Sequence, residues 1–396
     1  MRPMMPVPEI TRVSRPPRGR RRLTPVGPAS RVVVVGNGMV GWRLCQELVA
    51  AGVNESATIS VFGEEARPAY DRVHLTSLFS GHPVDDLMLS PREWYADNRI
   101  ALVTGDPVVA IDRERKTITT RRGLIATYDW LVLATGSRPF VPPMRGTKVP
   151  GVFVYRTIED IEAIRARAQG AKSAAVIGGG LLGLEAAQAL LNLGLAATVI
   201  ERGPGLMARQ LSPAAADLLR RKVEELGVRV LLKSETLEAR PREAGGLSII
   251  LRDYDSLDCD LLIVAAGIRP RQELAEACGL PCDRRGGVVV DDRLTTADPQ
   301  ILAIGECAAH RGIVYGLAAP GFLMAEVAAA RLAGRDATFT GTPLSARLKL
   351  LGIEVAALGE FQDDGDSFRH VTPATHRELI FRRGRLIGVR PAGLLG

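Results

Sequence analysis

The pattern G-x-G-x-x-G occurs twice, each time after a short apolar run. Gly36-Asn37-Gly38-Met39-Val40-Gly41 follows the valines of residues 32–35, and Gly178-Gly179-Gly180-Leu181-Leu182-Gly183 follows residues 174–177. Runs this short are too brief for a helix and suit strands buried on both faces. Each glycine has its own reason. The first (Gly36, Gly178) permits a tight turn, the second (Gly38, Gly180) lets a pyrophosphate approach the backbone, and the third (Gly41, Gly183) lets the next helix pack closely on the strand. Phosphates then lie at a helix N-terminus, where free N–H groups and the helix dipole favour anions. Helices are expected around 42–51 and over 181–193, and second strands at 58–62 and 197–200. One such loop is a weak signal. Two of them, about 140 residues apart, predict an α/β chain with two Rossmann-like three-layer dinucleotide-binding domains. A chain with two dinucleotide sites is expected to move electrons between two cofactors.

An acid at the end of the second strand would hold the ribose hydroxyls. In the second unit Glu201 stands there, 18 residues after Gly183. A carboxylate at that point disfavours a 2′-phosphate, so NADH is expected over NADPH, with Arg202 and Arg209 near enough to leave NADPH open. In the first unit Gly63 takes the corresponding place, Glu64 and Glu65 follow, and Glu64 is the candidate. Further short strands are expected at 130–134, 261–265, 288–290 and 301–304. Residues 139–143 and 148–151 read as a linker, and the chain is expected to cross back to the first fold around 267–270. A length of 396 residues accommodates two or three domains.

The net charge of +7 belongs to one end. Residues 1–30 carry seven arginines, seven prolines and one acid, Glu9, which leaves about +1 for the rest. That composition cannot bury a core, so a disordered arm is expected, with neither nucleic acid nor membrane as its partner. The five cysteines are sparse and odd in number, which points to a reducing cytoplasm. The Cys278–Cys282 pair supplies too few ligands for zinc or an iron–sulfur cluster, and no metal site is expected. Residues 173–200 are long and apolar enough to mislead a hydropathy scan, but glycines and Glu185, Gln188 and Asn192 interrupt them. They read as strand, turn, helix and strand.

Several stretches resemble a known family. Thr127-Tyr128-Asp129-Trp130-Leu131-Val132-Leu133-Ala134-Thr135-Gly136-Ser137 resembles the second FAD segment of two-dinucleotide flavoprotein reductases, and Ile301-Leu302-Ala303-Ile304-Gly305-Glu306 their late FAD segment. Ala265-Ala266-Gly267-Ile268-Arg269-Pro270 is similar to the stretch that closes their NAD domain. Ala69-Tyr70-Asp71-Arg72-Val73-His74-Leu75, Leu206-Met207-Ala208-Arg209-Gln210-Leu211, Gly305-Glu306-Cys307-Ala308 and Leu348-Lys349-Leu350-Leu351-Gly352 are similar to the flavin module of the assimilatory NAD(P)H-nitrite reductase large subunit. This module belongs to the pyridine nucleotide-disulfide oxidoreductases and is close to rubredoxin and ferredoxin reductases.

The resemblance implies a glutathione-reductase-like layout. Residues 31–150 and 268–340 form the FAD-binding domain, 151–267 the NAD(P)-binding domain, and 341–396 an α+β interface segment cut short. It implies that Gly36, Gly38 and Gly41 cradle the FAD pyrophosphate and that Arg72 reaches the phosphate or adenosine end. Thr135, Gly136 and Gly305 pass close to FAD, and Glu306, where relatives often have Asp, bonds the ribitol. Gly178, Gly180, Gly183 and Glu201 hold NAD(H), Glu185 sits beside the nicotinamide, and Gly267 closes that domain. The helix expected over 321–332, with Pro320 near its start, turns its positive end to the flavin. Ser77 departs from electron-transfer cousins that have Lys there, and no cysteine pair near residues 75–79 supports disulfide chemistry. The expected enzyme passes hydride from NADH to FAD, with no catalytic acid, base or nucleophile. Electrons go on to a separate iron–sulfur, sirohaem or molybdenum reductase component of nitrite or nitrate assimilation. A rubredoxin or ferredoxin reductase and a redox-responsive FAD/NAD-binding protein are the alternatives, and a homodimer is left open.

Overall fold

The computed structural model describes residues 30–252, 256–342, 345–350, 353–359, 366–372, 375–382 and 385–394. The arm expected over residues 1–30 lies outside these up to residue 29.

Two five-stranded parallel sheets share the arrangement of four strands and differ in one edge strand, which is the last in the chain in the first sheet and the first in the chain in the second. The first runs Ile301–Ala303, Trp130–Leu133, Ser30–Val35, Ala57–Phe62, Ile100–Val103. The second runs Val152–Val154, Leu261–Val264, Ser173–Ile177, Ala196–Ile200, Arg229–Leu231. In each, the strand before the glycine loop is central, and its last residue sits level with the two neighbours: Val35 with Phe62 and Leu133, Ile177 with Ile200 and Val264. Central parallel strands are covered on both faces, and Val32, Val34, Ala175 and Val176 are fully buried. Burying a valine or leucine fully contributes about 1.5–3 kcal/mol. Each unit also inserts a three-stranded antiparallel meander before its return strand. These are Val108–Asp112, Thr117–Thr120 and Ile125–Thr127 in the first, and Thr236–Pro241, Leu247–Leu251 and Leu257–Cys259 in the second.

Helices Met39–Ala50 and Leu181–Asn192 follow the glycine loops and bury Leu44, Cys45 and Leu48, and Leu184, Ala187 and Leu190. The apolar residues 173–200 thus divide into strand, helix and strand. Among the described residues no helix is long and apolar enough to cross a membrane. Helix Ala318–Leu332 packs along Met39–Ala50. Gly321 makes room for Val40, whose Cγ2 would lie 2.5 Å from a Cβ there. The outgoing chain Ser137–Pro139 and the returning chain Ile268–Pro270 pair antiparallel, which forms the waist between the sheets.

One core surrounds the first sheet, and two more cover the faces of the second. Tyr70, Leu75, Leu78, Phe79 and Leu87 precede the second fold in sequence, yet they pack into its core with Ile158, Ile161, Leu184 and Leu190.

The C-terminal segment, expected as α+β, contains no helix among its described residues. It is a five-stranded antiparallel sheet ordered Ser345–Leu350, Ile353–Gly359, Arg385–Leu394, Thr375–Arg382, Asp366–Val371. The cause is visible in Thr375–Arg382, where His376, Glu378 and Ile380 are buried and Arg377 and Leu379 exposed. That period of two specifies a strand. Helix Pro213–Glu225 of the second fold lies against this sheet, and Ser212 Oγ meets His376 Nε2 at 3.4 Å. Of the 348–352 motif, Leu351 and Gly352 lie outside the described residues.

Candidate functional site

The two glycine loops have the same backbone. Gly36 and Gly178 have φ of 116° and 112°, in the region that favours glycine. A Cβ on either would overlap a carbonyl of the return strand's end, Ala134 or Ala265. Gly36 N–H donates to Phe62 O at 2.8 Å, and Gly178 N–H to Ile200 O at 2.9 Å. A Cβ on Gly41 or Gly183 would overlap the carbonyl of Gly36 or Gly178. These two glycines sit beneath the loop and hold helix against strand. Gly38 and Gly180 cap the helices, and the space where their Cβ atoms would stand is open. Two glycines close the turn and one opens it, in both loops.

The loops differ at one pair of positions. Asn37 faces Gly63, and a Cβ on Gly63 would lie 3.1 Å from that of Asn37. The second loop has the reverse arrangement. Gly179 faces Glu201, whose Cβ would lie 3.2 Å from a Cβ on Gly179. Glu201 accepts from the backbone N–H of Gly179 at 2.7 Å and also from that of Gly203.

A cavity of about 730 Å³ opens on the first loop, within the usual range for cofactor clefts. Of the residues named from sequence, Gly36, Gly38, Glu64, Arg72, Thr135, Gly136, Gly305 and Glu306 line it. Glu306 accepts from Ser137 Oγ and Arg156 Nη2, both at 2.7 Å. Thr135 Oγ1 donates to Arg271 O at 2.8 Å. Glu64 is exposed and ion-paired with Arg271 across the cavity mouth. Glu65 also lines the cavity, and sequence reasoning passed over it. It pairs with Arg72 and accepts from the Tyr70 hydroxyl at 2.6 Å. Arg72 donates to Arg156 O at 3.0 Å and lies over the Tyr70 ring. Ser137, Arg156 and Arg271 were missed as well, since nothing local marks partners so distant in sequence.

Pro320 is buried as the third residue of its helix and is not among the lining residues. The helix begins at Ala318, earlier than expected, and Leu317 and Ala318 line the cavity instead. The first four N–H positions of a helix have no intrahelical acceptor, so Pro320 costs the helix no hydrogen bond.

Around the second loop, Glu185 is half-buried on helix Leu181–Asn192. Burial raises its carboxyl above the ordinary glutamate range, with His74 pulling the other way. The adjoining 3-10 helix Arg72–Ser80 carries His74, Thr76 and Ser77. Thr76 bonds the buried Tyr155 hydroxyl, and Tyr155 meets Phe79 edge to face at 5.9 Å. Gly267 has φ of 118°, and its carbonyl accepts from Phe140 N–H at 2.8 Å beside the waist. All five cysteines are free thiols. Burial raises Cys278 and pushes Cys282 up to about 11, which disfavours the reactive thiolate.

These residues fit a dinucleotide. Open space lies beside Gly38 and Gly180, and the buried Asn37 Nδ2 has no hydrogen-bond partner among the described residues. Comparison with known proteins agrees. The nitrite reductase (NADH) large subunit of Escherichia coli (strain K12) is 45% identical over 354 residues, 89% of this chain and 42% of that protein. The assimilatory nitrate reductase electron transfer subunit of Bacillus subtilis (strain 168) is 39% identical over 336 residues, 84% of this chain and 43% of that protein. The chain therefore spans less than half the length of these relatives. A solved ferredoxin reductase from Rhodopseudomonas palustris superposes with a TM-score of 0.84 at 28% identity, covering 92% of this chain and 91% of that one. Residues 30–333 match the pyridine nucleotide-disulphide oxidoreductase family, and the chain belongs to that family.

Proposed function

We propose that this chain is an NADH-dependent FAD oxidoreductase that delivers electrons to a separate protein of nitrite or nitrate assimilation. The observation that carries this reading is the cavity of about 730 Å³ running from the first glycine loop to Glu306 and the start of helix Ala318–Leu332. The first sheet, within 31–150 and 268–340, is assigned to FAD, and residues 151–267 to NAD(H).

Bound FAD would supply the chemistry, taking hydride from the reduced nicotinamide and releasing electrons onward. The chain's own part is placement and electrostatics. The free N–H groups at the start of helix Met39–Ala50, beside Gly38, would face the pyrophosphate, with Gly36 making the turn and Gly41 beneath. Glu306, fixed by Ser137 and Arg156, accepts from sugar-chain hydroxyls, while Thr135, Gly136 and Gly305 keep the floor close. Arg72 supplies positive charge, which Glu65 anchors. Leu317 and Ala318 present the positive helix end to the ring system, and Pro320 stiffens that turn. Gly178, Gly180, Gly183 and Glu201 hold NAD(H), Gly267 ends its domain, and Glu185 lies at the nicotinamide side. Glu64, at the cavity mouth beside Arg271, is the acid assigned to the ribose of this site. The acceptor is assigned to another polypeptide, as the name of the B. subtilis relative, an electron transfer subunit, suggests. The free cysteines support a reducing cytoplasm.

The test is anaerobic. Purified protein should carry a flavin absorbance that NADH bleaches faster than NADPH in stopped flow, and the reduced protein should then reduce an assimilatory nitrite or nitrate reductase component. Flavin that stays oxidised with NADH would sink the proposal. The R. palustris structure favours a second reading, a ferredoxin-type reductase. That reading wins if ferredoxin or rubredoxin is reduced and the assimilatory components are not.

A further inference from the structure

Arg156 belongs to one fold and reaches into the other. It follows strand Val152–Val154 of the second sheet. Its N–H donates to Asp160 at 3.0 Å, beside the capping box of helix Ile158–Ala168. Its other polar groups meet the first fold. The carbonyl accepts from Arg72 Nη1 at 3.0 Å, and Glu65 holds Nη2 of the same guanidinium. The side chain donates from Nη2 to Glu306 Oε2 at 2.7 Å. Both partners of this ion pair are mostly buried, with side chains 22% and 19% exposed. A charge-assisted bond in such a place is stronger and more directional than a pair on the open surface. Neighbouring residues cross at the same place. Thr76 bonds the Tyr155 hydroxyl, and Arg67 pairs with Glu159 at 3.3 Å and Glu162 at 3.6 Å. Residues 155–162 are thus where the second fold grips the first. Glu306 is bound on one side. Ser137 Oγ and Arg156 Nη2 both donate to Oε2. The other oxygen of a carboxylate has lone pairs of its own, so Oε1 is left for a hydroxyl of a cofactor in the cavity.

We infer that Arg156 is a positioning residue that ties the second fold to the carboxylate receiving the cofactor, so that FAD in the cavity fixes the pose of the nicotinamide-binding fold. The inference rests on the assignment of FAD to this cavity and of NAD(H) to the second loop. Arg156 acts through Glu306. A hydroxyl on Oε1 holds the carboxylate still, and the carboxylate then holds the guanidinium on Oε2. The guanidinium carries with it the first turn of helix Ile158–Ala168. Hydride transfer is sensitive to misplacement of about 1 Å, so the link serves alignment of the two nucleotides rather than affinity for either.

The test follows amide hydrogen exchange in the full-length protein, first stripped of flavin and then saturated with FAD. In wild type, FAD should slow exchange about fivefold or more in both helix Met39–Ala50 and helix Ile158–Ala168. Arg156→Met keeps most of the side chain's length without its charge. It should keep the slowing in Met39–Ala50, which reports bound FAD, and lose it in Ile158–Ala168. Glu306→Gln should lose it there too, and the double variant should lose no more than either single one. Arg156→Lys should restore part of it. In stopped flow, FAD-saturated Arg156→Met should bleach with NADH at a limiting rate lower by about tenfold or more, with the NADH dissociation constant close to that of wild type. The inference is overturned if Arg156→Met retains the full slowing in Ile158–Ala168, or if its limiting rate equals that of wild type. Should Arg156→Met fail to fold, Glu306→Gln decides by the same two readouts. Wild-type protein that takes up FAD without slowing exchange in Ile158–Ala168 overturns the inference alone. Wild-type protein that takes up no FAD overturns the functional reading, which separates the two failures.

Discussion

At the residue scale, one substitution should act in opposite ways at neighbouring glycines. Gly41→Ala drives a methyl into the Gly36 carbonyl. Such overpacking costs about 1–3 kcal/mol, so the stripped protein should melt lower. Gly38→Ala meets no atom, and its φ of −89° suits alanine. It should fold normally and lose FAD, because in the proposed site the methyl takes the pyrophosphate's place. Melting curves with and without FAD separate the two. Glu185 supplies a test by pH. Its folded carboxyl is raised by burial, so the folded protein binds more protons than the unfolded one between the two values. Stability therefore falls as pH rises through that window. Glu185→Gln should be more stable than wild type at neutral pH, and the gain should vanish below about pH 4, as urea denaturation at both pH values would show. The glycines were legible in the sequence because a backbone demand is written in the residue type. The pairing of Glu64 with Arg271 was not, because the two are 207 residues apart.

At the element scale, the strand–loop–helix units were legible because four-residue valine and alanine runs ending in glycine leave few alternatives. Helix starts were less so. Met39–Ala50 and Ala318–Leu332 each begin three residues before the sequence expectation. The first starts inside its glycine loop, and the second runs through Pro320 and Gly321, because its early turns pack on Val40. The C-terminal sheet was misread because its expectation came from family likeness instead of its own alternation. Helix Ile158–Ala168 carries a complete capping box, in which Thr157 Oγ1 accepts from Asp160 N–H at 3.1 Å and Asp160 accepts from Thr157 N–H at 2.9 Å. Thr157 also lines the cavity. Thr157→Ala should cost about 1 kcal/mol in chemical denaturation, and it should cost no more with FAD bound if the residue serves only the helix.

At the scale of the whole molecule, duplication is the organising fact, and the repeated pattern made it readable. The chain order of the cores was not readable, because an apolar run does not say which sheet it will cover. FAD at a thousandfold excess over its dissociation constant should stabilise the first fold by about 4 kcal/mol. Calorimetry should show that transition rising most, with the second rising in part, since Tyr70, Leu75, Leu78 and Phe79 bind the first fold to the second core. The same segment carries Arg72 to the cavity at the first glycine loop. Anyone grafting a nicotinamide-binding half from a relative to change coenzyme preference would naturally exchange residues 151–267. That graft would set four large apolar side chains of the host against a surface they never evolved to meet. A sound transplant takes two pieces of chain, the second fold and the segment from 70 to 88 that belongs to it in space.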